Sequence, residues 1–150
     1  MLGCLTPEEI DDFLGDQYFA HLGCQGKGEV YVVPISFVYL NGRLIGQTKE
    51  GRKIEMLRKN PACCVQLDKI NGVADWTSVI ISGRFEELTG SAAIEAMGLL
   101  IDRFGPQVEA LAGSRSPRDI TPSMTDSKSP VKIVYCIHVN AKTGRFETSR

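Results

Sequence analysis

The chain has one tryptophan, two histidines (His21 and His138) and five cysteines, none spaced as C-x-x-C. Zinc ribbons and fingers need paired Cys or His at short, regular spacing, so that class is excluded, and an odd thiol count argues against a disulfide scaffold. Cys24, Cys63, Cys64 and Cys136 lie in apolar, strand-like runs and read as small buried hydrophobes, so no metal site is expected. No uninterrupted apolar run approaches the roughly 20 residues of a membrane span. The opening Met1-Leu2-Gly3-Cys4 leads into acidic residues, without the basic and then apolar stretch of a secretory leader, and the expected compartment is the cytoplasm.

With 150 residues, the chain is long enough to bury roughly 70% of its extended surface as one domain, 1–150, without staples. A formal net charge of -1 hides an asymmetry. Residues 1–40 hold one Lys/Arg against six Asp/Glu, whereas residues 41–60 hold six (Arg43, Lys49, Arg52, Lys53, Arg58, Lys59) against Glu50 and Glu55. Such a cluster serves either a solvated helix face or an anion site. It is too compact and too poor in aromatics for a nucleic-acid groove.

Thr6-Pro7-Glu8-Glu9 carries a capping box and a proline suited to a first helical turn, with Ile10, Phe13 and Leu14 on the apolar face. Residues 18–24 read as a strand, and residues 25–28 as a turn into a second strand, 29–39. That second strand is apolar on both faces, as a doubly buried strand would be: Tyr31, Val33, Ile35, Phe37 and Tyr39 on one, Val30, Val32, Pro34, Ser36 and Val38 on the other. Pro34 cannot donate to a ladder and puts this strand at an edge or a bulge. Asn41-Gly42 between apolar runs is a hairpin signal, because both central residues need positive φ. A short helix follows over 50–59, inward at Ile54 and Leu57 and stopped at Asn60-Pro61. Strands 62–68 and 76–88 flank a loop at Asn71-Gly72. A second helix over 91–104 turns Ile94, Met97, Leu100 and Ile101 inward. Residues 113–130, with three prolines and five serines, carry no period and read as a flexible loop. Residues 130–140 alternate, with Val131, Ile133, Tyr135, Ile137 and Val139 inward. About six strands, joined by hairpins and short turns, predict a mainly antiparallel sheet closing into a barrel with peripheral helices.

Three segments carry candidate chemistry. Gly46-Gln47-Thr48-Lys49-Glu50-Gly51-Arg52-Lys53 leaves a strand and enters a helix, where free N–H groups and adjacent cations suit a phosphate. Arg52 and Lys53 stand where a P-loop needs Lys and Ser/Thr, so triphosphate hydrolysis is not expected. On this segment alone, exposed helix cations fit the pattern as well as an anion cradle does. Trp76, Thr77 and Ser78 open a strand with the lone tryptophan, which also suits a core anchor. Val32-Val33-Pro34-Ile35-Ser36-Phe37 offers main-chain groups to a flat ring where Pro34 interrupts the ladder. His21 and His138 read as half-buried structural residues, and no nucleophile with its base can be assigned from spacing.

Taken together and in this order, these segments resemble the pyridoxamine 5'-phosphate oxidase-like flavin-binding proteins, in their flavin-nucleotide-binding and nitroimidazole-resistance-like branch. The resemblance rests on Leu5-Thr6-Pro7, Leu22-Gly23-Cys24, Tyr31 through Phe37, Gly51 through Arg58, Asn60-Pro61, Trp76-Thr77-Ser78-Val79, Gly83 through Leu88 and Thr143-Gly144-Arg145-Phe146. It implies a mainly β (α+β) fold, a six-stranded antiparallel split β-barrel with peripheral helices, and a homodimer holding flavin mononucleotide (FMN) at its interface.

Carried onto this chain, the resemblance implies that Arg52 and Lys53 hold the phosphate with Thr48 and Gly51, that Val33, Pro34, Ile35 and Ser36 run along the ring with Gln47 nearby, and that Trp76, Thr77 and Ser78 close the pocket, from the same or the partner subunit. Many relatives carry His where Gln47 stands and Arg where Thr77 stands; Gln47 cannot shuttle a proton near neutral pH, and Thr77 removes a charge. The basic Arg-x-His pattern of true pyridoxamine phosphate oxidases is missing from residues 145–150, so vitamin B6 oxidation is not expected. The expected activity is FMN-dependent oxidation or reduction of a small molecule, with a nicotinamide nucleotide visiting transiently, since no G-x-G-x-x-G marks a domain for it. The competing expectations are a non-catalytic flavin carrier or sensor and a barrel that has lost its cofactor.

Overall fold

The computed structural model describes residues 1–112 and 132–149, so the segment 113–130 read as a loop, and Val131, lie outside the described residues. Among those described, eight strands and three helices follow one another: β1 (Leu2–Cys4), α1 (Pro7–Asp16), β2 (Phe19–Gly26), β3 (Glu29–Ser36), β4 (Val38–Leu40), β5 (Arg43–Lys49), α2 (Arg52–Lys59), β6 (Ala62–Gly72), β7 (Asp75–Leu88), α3 (Gly90–Ala112) and β8 (Lys132–Glu147). Every strand pairing is antiparallel.

The expected punctuation is in place. Thr6 Oγ1 accepts from the Glu9 N–H while Glu9 Oε1 accepts from the Thr6 N–H. Asn41 and Gly42 take φ of 52° and 73° between β4 and β5, as the hairpin requires.

Two strands exceed the sequence count. One is the short β1, laid against the end of β8. The other arises because the run 29–39 breaks at Phe37, whose N–H goes to the Tyr18 carbonyl at 3.0 Å while its ring is buried. That break closes the barrel. The hydrogen-bonded order is β3-β2-β6-β7-β8-β5-β4, so β3 and β4, separated by Phe37 alone, stand at opposite ends of the sheet. The sheet has to curl until its ends meet, and the seam between β3 and β5 is where the barrel is split. Pro34 sits on β3, an end strand, where a missing N–H breaks no second ladder.

The interior is filled by Leu22, Ile35, Phe37, Leu44, Val65, Val79, Ile81, Tyr135 and Ile137, with Ile10 and Leu14 of α1 and Ile54 and Leu57 of α2 packed against it. A smaller cluster (Ile45, Leu88, Ala96, Leu100, Val134, Cys136) seats α3 on the outer face of β5 and β8. Three expectations fail here. Val30 and Val32 are 76% and 60% exposed, so β3 is covered on one face, not two: the sheet supplies neighbours for its inner side only. Ile94 is exposed, because α3 meets the sheet through Ala96 and Leu100, and Cys64 is exposed because it alternates with the buried Val65. The turn after β6 falls at residues 73 and 74 instead of Asn71-Gly72, and the strand runs on to Gly72, four residues past the expected end, through a bulge between Ile70 and Gly72.

Candidate functional site

A cleft of about 390 Å³ opens along the seam of the barrel, within the range usual for small-ligand sites. Pro34, Ile35 and Ser36 of β3 form one lip, Gln47 of β5 and Lys53 of α2 form the floor, and α3 forms the far wall. Gly46 makes the approach of β3 to β5 feasible. A Cβ there would lie 2.6 Å from Tyr135 Oη and 3.2 Å from the Ser36 carbonyl oxygen, so only glycine fits.

Two polar groups in the cleft lack the partners that burial ordinarily demands. Gln47 Oε1 is buried and accepts no hydrogen bond among the described residues. An orphaned acceptor of this kind costs on the order of 1–3 kcal/mol, which a ligand donor would recover. The Lys53 ammonium lines the same cleft with no carboxylate within 4 Å among the described residues, and desolvation pulls its pKa below the usual lysine value. An anionic ligand would reverse that cost.

Two further cations of the basic segment, Arg52 and Arg58, are engaged elsewhere. Arg52 pairs with Glu29 and lies over the Tyr31 ring, 4.8 Å from its centroid. Arg58 donates from Nε and Nη2 to the two carboxylate oxygens of Glu87 at 3.0 and 2.9 Å, and from Nη1 to Glu50 at 3.1 Å. These bonds hold Glu87 below the usual carboxylate range and Arg58 above the usual guanidinium one. Arg58 thus fastens the end of α2 to the end of β7 and fixes where Lys53 projects. Of the cations in this segment, Lys53 lines the cleft among the described residues.

Of the residues singled out in the sequence, the cleft gathers Pro34, Ile35, Ser36, Gln47 and Lys53. Val33 faces the barrel interior, as alternation along β3 requires. Thr48 Oγ1 donates to the Lys49 carbonyl at 3.2 Å outside the cleft lining, and Gly51 caps α2 with no side-chain bond. Trp76, Thr77 and Ser78 are on β7, away from the cleft of their own chain. Trp76 Nε1 donates to Glu147 at 3.1 Å, and Ser78 Oγ accepts from Gln66 at 3.2 Å. Sequence reasoning missed the α3 wall of Met97, Leu100, Ile101, Phe104 and Gly105. Its apolar period was visible, but nothing in that period separates a pocket wall from core.

The comparisons with known proteins agree with this fold. A family model described as pyridoxamine 5'-phosphate oxidase matches residues 6–146. An uncharacterized protein of Rhizobium meliloti is 26% identical over 147 residues, covering 94% of this chain and 92% of its own. Among solved structures, an FAD-binding protein from Mesorhizobium loti superposes with a TM-score of 0.77 at 22% identity, over 99% of this chain and 98% of that one. A protein from Bacteroides thetaiotaomicron ascribed to 5-nitroimidazole antibiotic resistance gives a TM-score of 0.68 at 18% identity, over 97% and 87%. No described helix is long and apolar enough to cross a membrane.

Proposed function

The chain belongs to the pyridoxamine 5'-phosphate oxidase family, and from that premise we propose that its cleft binds a flavin nucleotide, FMN, and serves oxidation or reduction of a small molecule. The observation that carries this reading is that one cleft holds both the buried Gln47 Oε1 and the partly desolvated Lys53, neither with a polar partner among the described residues. Lys53 and the N–H groups at the start of α2 suit a phosphate, Gln47 suits a ring N–H donor, and the apolar residues of α3 suit the face of a flat ring. Flavin, when bound, supplies the electron chemistry. The protein's part is to grip the phosphate, orient the ring and exclude water from one of its faces. The M. loti neighbour is described as an FAD-binding protein, so the nucleotide has to be identified as well as detected.

The reading extends to a second copy of the chain. Val30, Val32, Pro34 and Ser36 alternate onto one face of β3, and the register aligns them with Phe19 on β2 and, through Gln66, with Ile80 on β7. Val30, Val32, Phe19 and Ile80 are all exposed, and this apolar face runs up to the cleft lip, the pattern of an interaction surface. Trp76 and Ser78 alternate onto the same face. A homodimer packed through it would bring these β7 residues to the cleft that their own chain leaves open.

The test is the visible spectrum of the purified protein before and after loading with FMN or FAD, followed by chromatography of the flavin released on denaturation. About one FMN per chain supports the reading; a protein that stays colourless and takes up neither overturns it. The absence of an imidazole at position 47 favours, as second reading, a carrier or sensor without turnover. That reading predicts bound flavin that a nicotinamide nucleotide fails to reduce in the presence of an acceptor.

A further inference from the structure

On the outer face of the sheet, beneath α3, three potential ligand atoms converge from two strands. Cys136 Sγ lies 3.4 Å from His138 Nε2 and 3.9 Å from Glu86 Oε1, and His138 Nε2 lies 3.6 Å from the same carboxylate oxygen. In a tetrahedral zinc centre, with bonds of about 2.0–2.1 Å to nitrogen or oxygen and about 2.3 Å to sulfur, ligand atoms stand about 3.3–3.6 Å apart. The triangle here needs a few tenths of an ångström of closure. It is built by the sheet. Cys136 and His138 are two residues apart on β8 and share a face, while Glu86 pairs with Cys136 across the β7–β8 ladder.

We propose that Glu86, Cys136 and His138 form a zinc-class divalent cation site with its fourth position open to solvent. A thiolate, an imidazole and a carboxylate are a donor set that zinc favours over magnesium or calcium. The thiol lies at the bottom, fully buried, while the imidazole and carboxylate side chains are 42% and 57% exposed and give the ion access from water. The other charges on this face are Arg43 on β5 and Arg84 on β7, both opposite His138 in the register, and Arg43 acts on the thiol directly. A divalent ion between a thiolate and a carboxylate is locally neutral, so these arginines do not exclude it. Cys136 packs in the same cluster as Leu100, which also lines the cleft, so the ion would brace the sheet on which that helix sits.

The whole protein, as purified and with whatever flavin it carries, is equilibrated with zinc, dialysed, and read by metal analysis and zinc X-ray absorption. The expected result is one zinc per chain with one sulfur among otherwise light ligands, and a loss of affinity of more than about tenfold in His138→Gln and in Glu86→Gln. Both are partly exposed positions, so these variants should keep the fold, whereas Cys136→Ser would alter a fully buried position; circular dichroism checks this. Absence of stoichiometric zinc, a site without sulfur, or retention undiminished in His138→Gln overturns the proposal and leaves a hydrogen-bonded trio. None of these outcomes depends on flavin binding.

Discussion

The Tyr39 phenol donates to Asp11 Oδ1 at 2.7 Å, joining the hairpin strand β4 to helix α1, and Lys142 of β8 binds the same carboxylate oxygen. One side chain thus ties three elements that are remote in sequence. Lys142 first and Tyr39 second hold the Asp11 carboxyl below its usual pKa, while burial and the bond to Asp11 push Tyr39 up to about 12.

Because the folded-state pKa of Asp11 is depressed, its contribution is present above the unfolded carboxylate value of about 3.9 and is lost as pH falls through the lower folded value. The stability difference between the protein and Asp11→Asn, followed by urea unfolding, should be no more than about 1 kcal/mol at pH 7, since the carboxylate is about half exposed and screened by water. It should shrink below about pH 4. A difference independent of pH would assign the effect to packing alone.

Lys53 and Arg52, adjacent in sequence, should behave differently. Lys53→Ala should weaken FMN binding about tenfold or more, the worth of a charge-assisted bond. Arg52→Ala should cost less, because Arg52 is held by Glu29 outside the cleft lining. Fluorescence titration separates the two, and equal losses would show that Arg52 swings from Glu29 to the ligand.

Val32→Glu places a charge at the centre of the exposed apolar face without touching the core. Sedimentation should find the parent chain dimeric and the variant monomeric, with flavin affinity falling in parallel. A monomeric parent, or a variant that still pairs, refutes the dimer proposed through this face.

Gly46→Ala should destabilise by about 1–3 kcal/mol, the usual cost of overpacking a filled interior. The new methyl group would collide with Tyr135 and the Ser36 carbonyl, so the lip of the cleft should shift too. Thermal unfolding and flavin titration together read both effects; a neutral outcome in each would mean that β3 yields freely.

Local features of the fold were legible in the sequence: the Thr6 box, the Asn41-Gly42 turn, and the alternation of Ile133, Tyr135 and Ile137 all state their geometry within a few residues. The split-barrel architecture was legible too, but the strand order was not, because it depends on which distant strands pair around the break at Phe37. The same limit applies to the site. Pro34, Gln47 and Lys53 were visible as types suited to a ring and a phosphate. That Glu29 would occupy Arg52, or that α3 would supply a wall, depends on contacts across 23 residues or more. The Glu86, Cys136 and His138 trio gave no spacing signal, because one ligand comes from a different strand.

Strand β8 pairs with β1, β5 and β7, yet it follows all three in the chain. Until it leaves the ribosome, the nascent chain exposes two unladdered edges, on β5 and β7, and barrel closure has to wait for it. Such an intermediate is open to edge-to-edge association with its neighbours on a polysome. Slow synthesis through the region before β8 would lengthen that exposure, and holdase chaperones that cover strand edges would shorten it.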